Sequence, residues 1–148
     1  MGRRGLREHI FKLLFMSEFH PEEELADQTD IYLDEGIYLE DGFGTLREED
    51  RAYMRTKYQA IREKIQEIDG SLNEITRGWK TSRMSRVDLN ILRLAVYEIR
   101  YDEDVPEKVA ANEAVELAKK YGREGSASFI NGLLGKIIRV AHDGEADV

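Results

Sequence analysis

Near the C-terminal end, residues Ala118 to Phe129 read AKKYGREGSASF. Lys119, Lys120 and Arg123 supply cations, Tyr121 and Phe129 supply rings between and beyond them, and Gly122 and Gly125 leave room for close approach. Cations that follow a phosphate backbone, interleaved with rings that stack on unpaired bases, suit single-stranded nucleic acid. The same residues also fit a plainer arrangement, in which both rings are core and the lysines complement a helix C-terminus. A second basic group opens the chain: Arg3, Arg4 and Arg7 crowd the start of MGRRGLREHIFKLLF. Guanidiniums there can meet phosphates or stand as ordinary surface charges. In a first helical turn they oppose the macrodipole, at roughly a few tenths of a kcal/mol each. An anion outside the helix would offset that cost.

Catalytic chemistry finds no support in the sequence. His9, His20 and His142 have no His four residues away, and no HExxH or carboxylate triad accompanies them, so they read as surface or helix-end side chains. EGSAS is not a GxSxG elbow, and GFG completes neither GxGxxG nor GxxxxGK[ST]. With no cysteine in the chain, disulfides, thiolate metal sites and cysteine nucleophiles are excluded. The reading is therefore a non-enzyme with no cofactor and no metal. Lys12 interrupts the apolar run after the basic start and no cleavage site follows, so export is rejected. Leu6 stands where a myristoylation motif needs Ser or Thr, and no apolar run approaches the roughly 18 residues of a membrane span. The cytoplasm is the expected location and no membrane is expected as a partner.

These groups must be positioned by helices. A chain of 148 residues with 41% hydrophobic residues, 35% charged residues and two prolines favours an all-α fold in a single domain, 1–148, frayed at 1–2 and 143–148. Leu6, Ile10, Leu13, Leu14 and Ser17 share a face and predict a first helix from Arg3 to Phe19, ended by His20 and Pro21. A short acidic helix follows, with Leu25, Tyr32 and Leu33 inward and Gly36 closing it; 36–46 reads as a glycine-rich loop. From Arg47 to Trp79 the apolar spacing predicts one long helix, with Asp69 and Gly70 as its natural break.

Ser85 and Asp88 form a capping-box pattern ahead of LNILRLAVYEIRY, the most apolar stretch and the expected centre of the fold. Arg93 and Glu98 within it, with Glu113 further on, read as a satisfied buried ion pair. Pro106 suits the first position of the next helix, Gly122 its left-handed C-terminal residue, and Ser126 the cap of the last helix. Charge is unevenly distributed. Between His20 and Asp50 twelve Asp and Glu stand against Arg47 alone, whereas the rest of the chain is slightly basic within a total of −8. An anionic partner is compatible with that distribution, and the carboxylate run reads as a solvated face.

The long ordered run SRVDLNILRLAVYEIRYDEDVPEKVAANEAVELAKKYGREGSASFINGLLGKI resembles the C-terminal half of the NusB family of bacterial transcription antitermination factors. RRGLREHIFKLLF is similar to that family's arginine-rich first helix, while 20–50 shows little resemblance. The resemblance implies about six to seven helices in two packed bundles. It further implies binding of the boxA element of nascent ribosomal RNA together with the ribosomal small-subunit protein NusE, and through them an indirect association with the RNA polymerase elongation complex. Carried over by position, Arg3, Arg4 and Arg7 are the arginines that meet RNA, Tyr121 and Phe129 the aromatics flanking Gly122, and Asn131–Gly132 the family's NG pair. Asp88 falls at a position associated with the protein partner. Two departures are a short basic N-terminal extension and Gly125 where the family carries an acidic residue. Oligomeric state is open, a homodimer included. The rival reading is a helical protein-interaction module whose acidic face binds a basic partner without touching RNA.

Overall fold

The computed structural model describes residues 2–36 and 46–146. The glycine-rich loop expected over 36–46 lies, from 37 to 45, outside the described residues, as do 147 and 148. Seven α-helices occur among the described residues, with no strand: α1 (Arg3–Ser17), α2 (Leu25–Ile31), α3 (Glu48–Glu63), α4 (Ile65–Thr76), α5 (Arg86–Tyr101), α6 (Glu107–Tyr121) and α7 (Ser126–Ala146). A 3₁₀ turn, Glu22–Glu24, precedes α2, a π-helical turn, Tyr32–Gly36, follows it, and a second 3₁₀ turn occupies Thr81–Arg83. The chain divides into two compact units, Met1–Arg62 and Glu63–Val148.

In the first unit, α1 buries Leu6, Ile10, Leu13 and Leu14 as their spacing predicts, with Ser17 buried and its hydroxyl donating to the Leu14 carbonyl at 2.6 Å. Leu25, Tyr32 and Leu33 are buried as expected, joined by Met54, Tyr58 and Ile61 of α3. Each such aliphatic side chain contributes about 1.5–3 kcal/mol by leaving water. His9 is not at the surface or a helix end, as expected, but in the core, its Nδ1 2.6 Å from the Tyr32 hydroxyl. The described part of the acidic stretch is not simply solvated: Arg62 reaches Glu22 at 2.5 Å, Arg55 pairs with Asp30, and Arg51 lies 3.7 Å from Asp34. Exposed pairs of this kind contribute at most about 1 kcal/mol each, but they neutralise part of the face.

In the second unit, α5 is central as predicted, packing on α4, α6 and α7, with every side chain from Leu89 to Val96 buried. Ala110, Ala114 and Ala118 recur every fourth residue on α6 and are buried, so a small-residue stripe brings the α6 backbone close to its neighbours. The Ser85 hydroxyl accepts from the Asp88 amide at 3.1 Å and caps α5. The capping box is half formed, because Asp88 Oδ1 is buried without a hydrogen-bond partner among the described residues.

Two helical boundaries correct the expectation. The stretch from Arg47 to Trp79 breaks at Lys64 and not at Asp69–Gly70, which lie inside α4. The Asp69 carboxylate does not turn back to cap a helix; it accepts two bonds from Arg93, from Nε at 2.9 Å and from Nη2 at 2.7 Å. Gly70 is exposed and touches nothing a side chain would fill, so its cost is the ordinary helical penalty of about 1 kcal/mol. Trp79, which extended the apolar pattern, stands beyond α4 and is 50% exposed. Arg93 and Glu98 are buried and Glu113 is half-buried, and one partner of Arg93 is Asp69 of α4, outside the apolar segments in which the ion pair was expected.

Candidate nucleic-acid interface

Helix α6 ends in Lys119, Lys120 and Tyr121, because the next residue leaves the helical region: Gly122 has φ −83° and ψ −177°. This overturns the left-handed role expected of Gly122, since that backbone is open to any residue. The reason for glycine is space. A Cβ at position 122 would stand 2.6 Å from the Ala118 carbonyl oxygen and 2.6 Å from Ser126 Cβ. The left-handed residue of the turn is Gly125, with φ +90°, from whose carbonyl α7 begins as Phe129 N–H donates to it at 3.0 Å. Ser126, expected as a cap, is the first residue of α7, and its hydroxyl accepts from the Arg123 amide at 3.0 Å while its own amide donates to the Arg123 carbonyl at 3.0 Å. That reciprocal pair ties the turn shut, and a serine three residues after the arginine was its only mark in the sequence.

Around this tied turn Lys119, Lys120 and Arg123 are exposed, and Tyr121 and Phe129 are both half-buried. Lys120 Nζ sits 5.3 Å from the centre of the Tyr121 ring, and Lys119 Nζ lies 3.4 Å from Glu116. Asn131 and Gly132 are exposed on the next turn of α7. Neither ring is fully core, and each leaves part of its surface open to water.

The arginines of α1 separate. Arg3 and Arg4 are exposed, whereas Arg7 is 8% exposed; Arg4 and Arg7 both have an interaction within the protein. Helical geometry accounts for the difference, since Arg7 is flanked by Leu6 and Ile10 on the buried face. The α1 N-terminus has Gly2 as its cap, no side-chain cap bond and no acidic residue in its first turn. Asp88 is half-buried in the first turn of α5. Among the described residues, no group of three or more His, Cys, Asp or Glu side chains is placed to hold a metal ion. No helix of the described residues is long and apolar enough to cross a membrane.

Two helical units, with no strand among the described residues, define an all-α protein, and the cationic and aromatic side chains singled out above gather at helix ends. The model of the NusB family matches residues 4–139, crossing both units, and the chain belongs to that family. It is 50% identical over 138 residues to the transcription antitermination protein NusB of Lachnoclostridium phytofermentans, covering 93% of this chain and 99% of the relative. The corresponding protein of Agathobacter rectalis is 48% identical, covering 92% and 98%. Among solved structures, NusB of T. maritima superposes with a TM-score of 0.78 at 35% identity, over 94% of this chain and 92% of that one.

Proposed function

We propose that the chain is a non-enzymatic antitermination factor of the cytoplasm, acting as one RNA-binding domain on the boxA element of nascent ribosomal RNA. NusE is its protein partner in this reading, and the RNA polymerase elongation complex is reached through the two together. The observation that carries the reading is the turn between α6 and α7: exposed Lys119, Lys120 and Arg123 around the half-buried rings of Tyr121 and Phe129, with Gly122 holding the backbone in close contact. Membership of the NusB family supports it. Exposed Arg3 and Arg4 add phosphate contacts, and Arg7 orders the helix that carries them. Asp88, half-buried beside the α5 cap, is the contact assigned to NusE. The acidic-face alternative has less support, because Glu22, Asp30 and Asp34 already meet arginines of α3.

A salt titration of binding to a short single-stranded boxA-like RNA, with and without NusE, tests the reading. Each single-strand phosphate neutralised contributes about 0.7 to the slope of log affinity on log salt. Replacing Lys119, Lys120 and Arg123 by Gln flattens that slope by about two, and replacing Arg3 and Arg4 flattens it by a little over one. Unchanged slopes in both variants would sink the RNA reading.

The rings give a separate expectation. Phe129→Ala and Tyr121→Ala each weaken RNA binding by about 1–3 kcal/mol, the range for one stacked base. Because each ring is half-buried, the accompanying loss of stability stays below the roughly 3–5 kcal/mol of a core Phe truncation. Urea denaturation beside the RNA titration decides between them. A loss of stability large enough to account for the whole binding defect would return both rings to the core.

A further inference from the structure

The second unit has a groove of about 590 Å³ that the turn at 122–125 does not use. Arg77 at the end of α4, Arg100 on α5, and Lys136 and Arg139 on α7 line it, with Glu74 as the opposing charge. In a chain of net charge −8, such a concentration of cations at one concave surface is a local reversal of sign. Arg77, Lys136 and Arg139 make no ion pair among the described residues, whereas Arg100 donates to the Ser71 hydroxyl on the groove wall.

Two backbone features bear on the same place. Arg77 has φ 53°, a left-handed conformation that costs a residue with a Cβ roughly 1–2 kcal/mol, although Gly78 stands next in the chain to take it more easily. Gly135 leaves the space along α7 over which the Arg139 guanidinium lies, 3.5 Å from where a Cβ would be.

Helix α7 joins this groove to the proposed stacking site. At about 100° and 1.5 Å per residue, Lys136 and Val140 fall within about 20° of the direction of Phe129, about 10 and 16 Å further along the axis. Gly132, exposed and with nothing near the place of its missing Cβ, leaves the strip between Phe129 and Lys136 open. A strand whose base rests on Phe129 can therefore pass over Gly132 and bring its next phosphates to the groove.

We infer that the groove of Arg77, Arg100, Lys136 and Arg139 binds the phosphate backbone of RNA flanking the recognised element, without reading its bases. This rests on the RNA-binding reading above, and the experiment separates the two. Affinity is measured across a salt series for a boxA-like core RNA, and for the same core carrying an oligouridine extension at its 5′ or its 3′ end. One of the extended RNAs binds the wild-type protein with a slope steeper by about two than the core. The variant R77Q/K136Q/R139Q binds the core as wild type does and loses the added slope, while R77K/R139K keeps it. Equal slopes for core and both extended RNAs on the wild-type protein overturn the groove while leaving the function standing. An added slope that survives the triple variant also overturns it. Failure of the wild-type protein to bind even the core RNA would remove both.

Discussion

Asp69→Ala lowers the stability of the protein by about 1–3 kcal/mol, the range for leaving a buried polar group short of a hydrogen-bond partner. The size follows from what is left behind. The Arg93 side chain is 9% exposed and donates twice to Asp69, with a third bond at 3.2 Å to Asn90. Asn90 is itself fully buried and holds the Arg86 carbonyl at 2.8 Å, so it stays beside Arg93 as a hydrogen-bond partner in the variant. A guanidinium cannot shed its proton to escape the interior. Asp69→Asn keeps the shape and part of the hydrogen bonding and costs less. Replacing both partners, as Asp69→Leu with Arg93→Met, recovers most of the loss, because a well-packed apolar pair is often as stable as the ion pair it replaces. Urea unfolding of the three variants measures this. A loss below about 1 kcal/mol in Asp69→Ala would show that Arg93 finds another counter-charge.

Gly122→Ala costs about 1–3 kcal/mol, the range for forcing extra volume into a packed site. The upper part of that range is expected, because the nearest atoms include a backbone carbonyl that cannot rotate aside. That carbonyl, of Ala118, also receives the Gly122 amide at 2.8 Å as the last bond of α6. A methyl at 122 therefore strains the bond that ends the helix and presses on Ser126, which holds the Arg123 amide. RNA affinity falls with stability, since Tyr121 and Phe129 flank the joint that is forced open. Gly125→Ala is the control with a different physics. Nothing lies near its missing Cβ, and its φ of +90° alone makes the change unfavourable, by roughly 1–2 kcal/mol. Equal tolerance of alanine at both positions would contradict the space argument.

The comparison of sequence with structure turns on which interactions are local. Periodicity located the buried face of α1 and the central place of α5, because burial of residues three and four apart is written directly into spacing. Ser85 was legible as a cap because its partner amide is three residues away. Asp69 was misread as a helix breaker because its partner, Arg93, lies 24 residues on, and no window of sequence joins them. The burial of Arg7 beside the exposure of Arg3 and Arg4 depends on helical phase, which a cluster of like charges conceals. At the candidate site, the residue types around Gly122 were legible, but the reason for the glycine was not. Close approach and positive φ ask for the same residue, and only coordinates tell them apart. The groove cations come from α5, from α7 and from the residue that follows α4, and share no motif at all.

Helices α5, α6 and α7 follow one another in the chain, are joined by the short connections 102–106 and 122–125, and pack on one another. Each finds its partner next door, so little loop entropy is lost before apolar contact compensates for it. A low contact order of this kind belongs to chains that fold in microseconds to milliseconds. The order of synthesis matters too. The central helix is made before α6 and α7, and the apolar surface that those two cover stays open for the time the ribosome needs to add them. The nascent chain is thus arranged to close over its core stepwise, in the order in which the helices emerge.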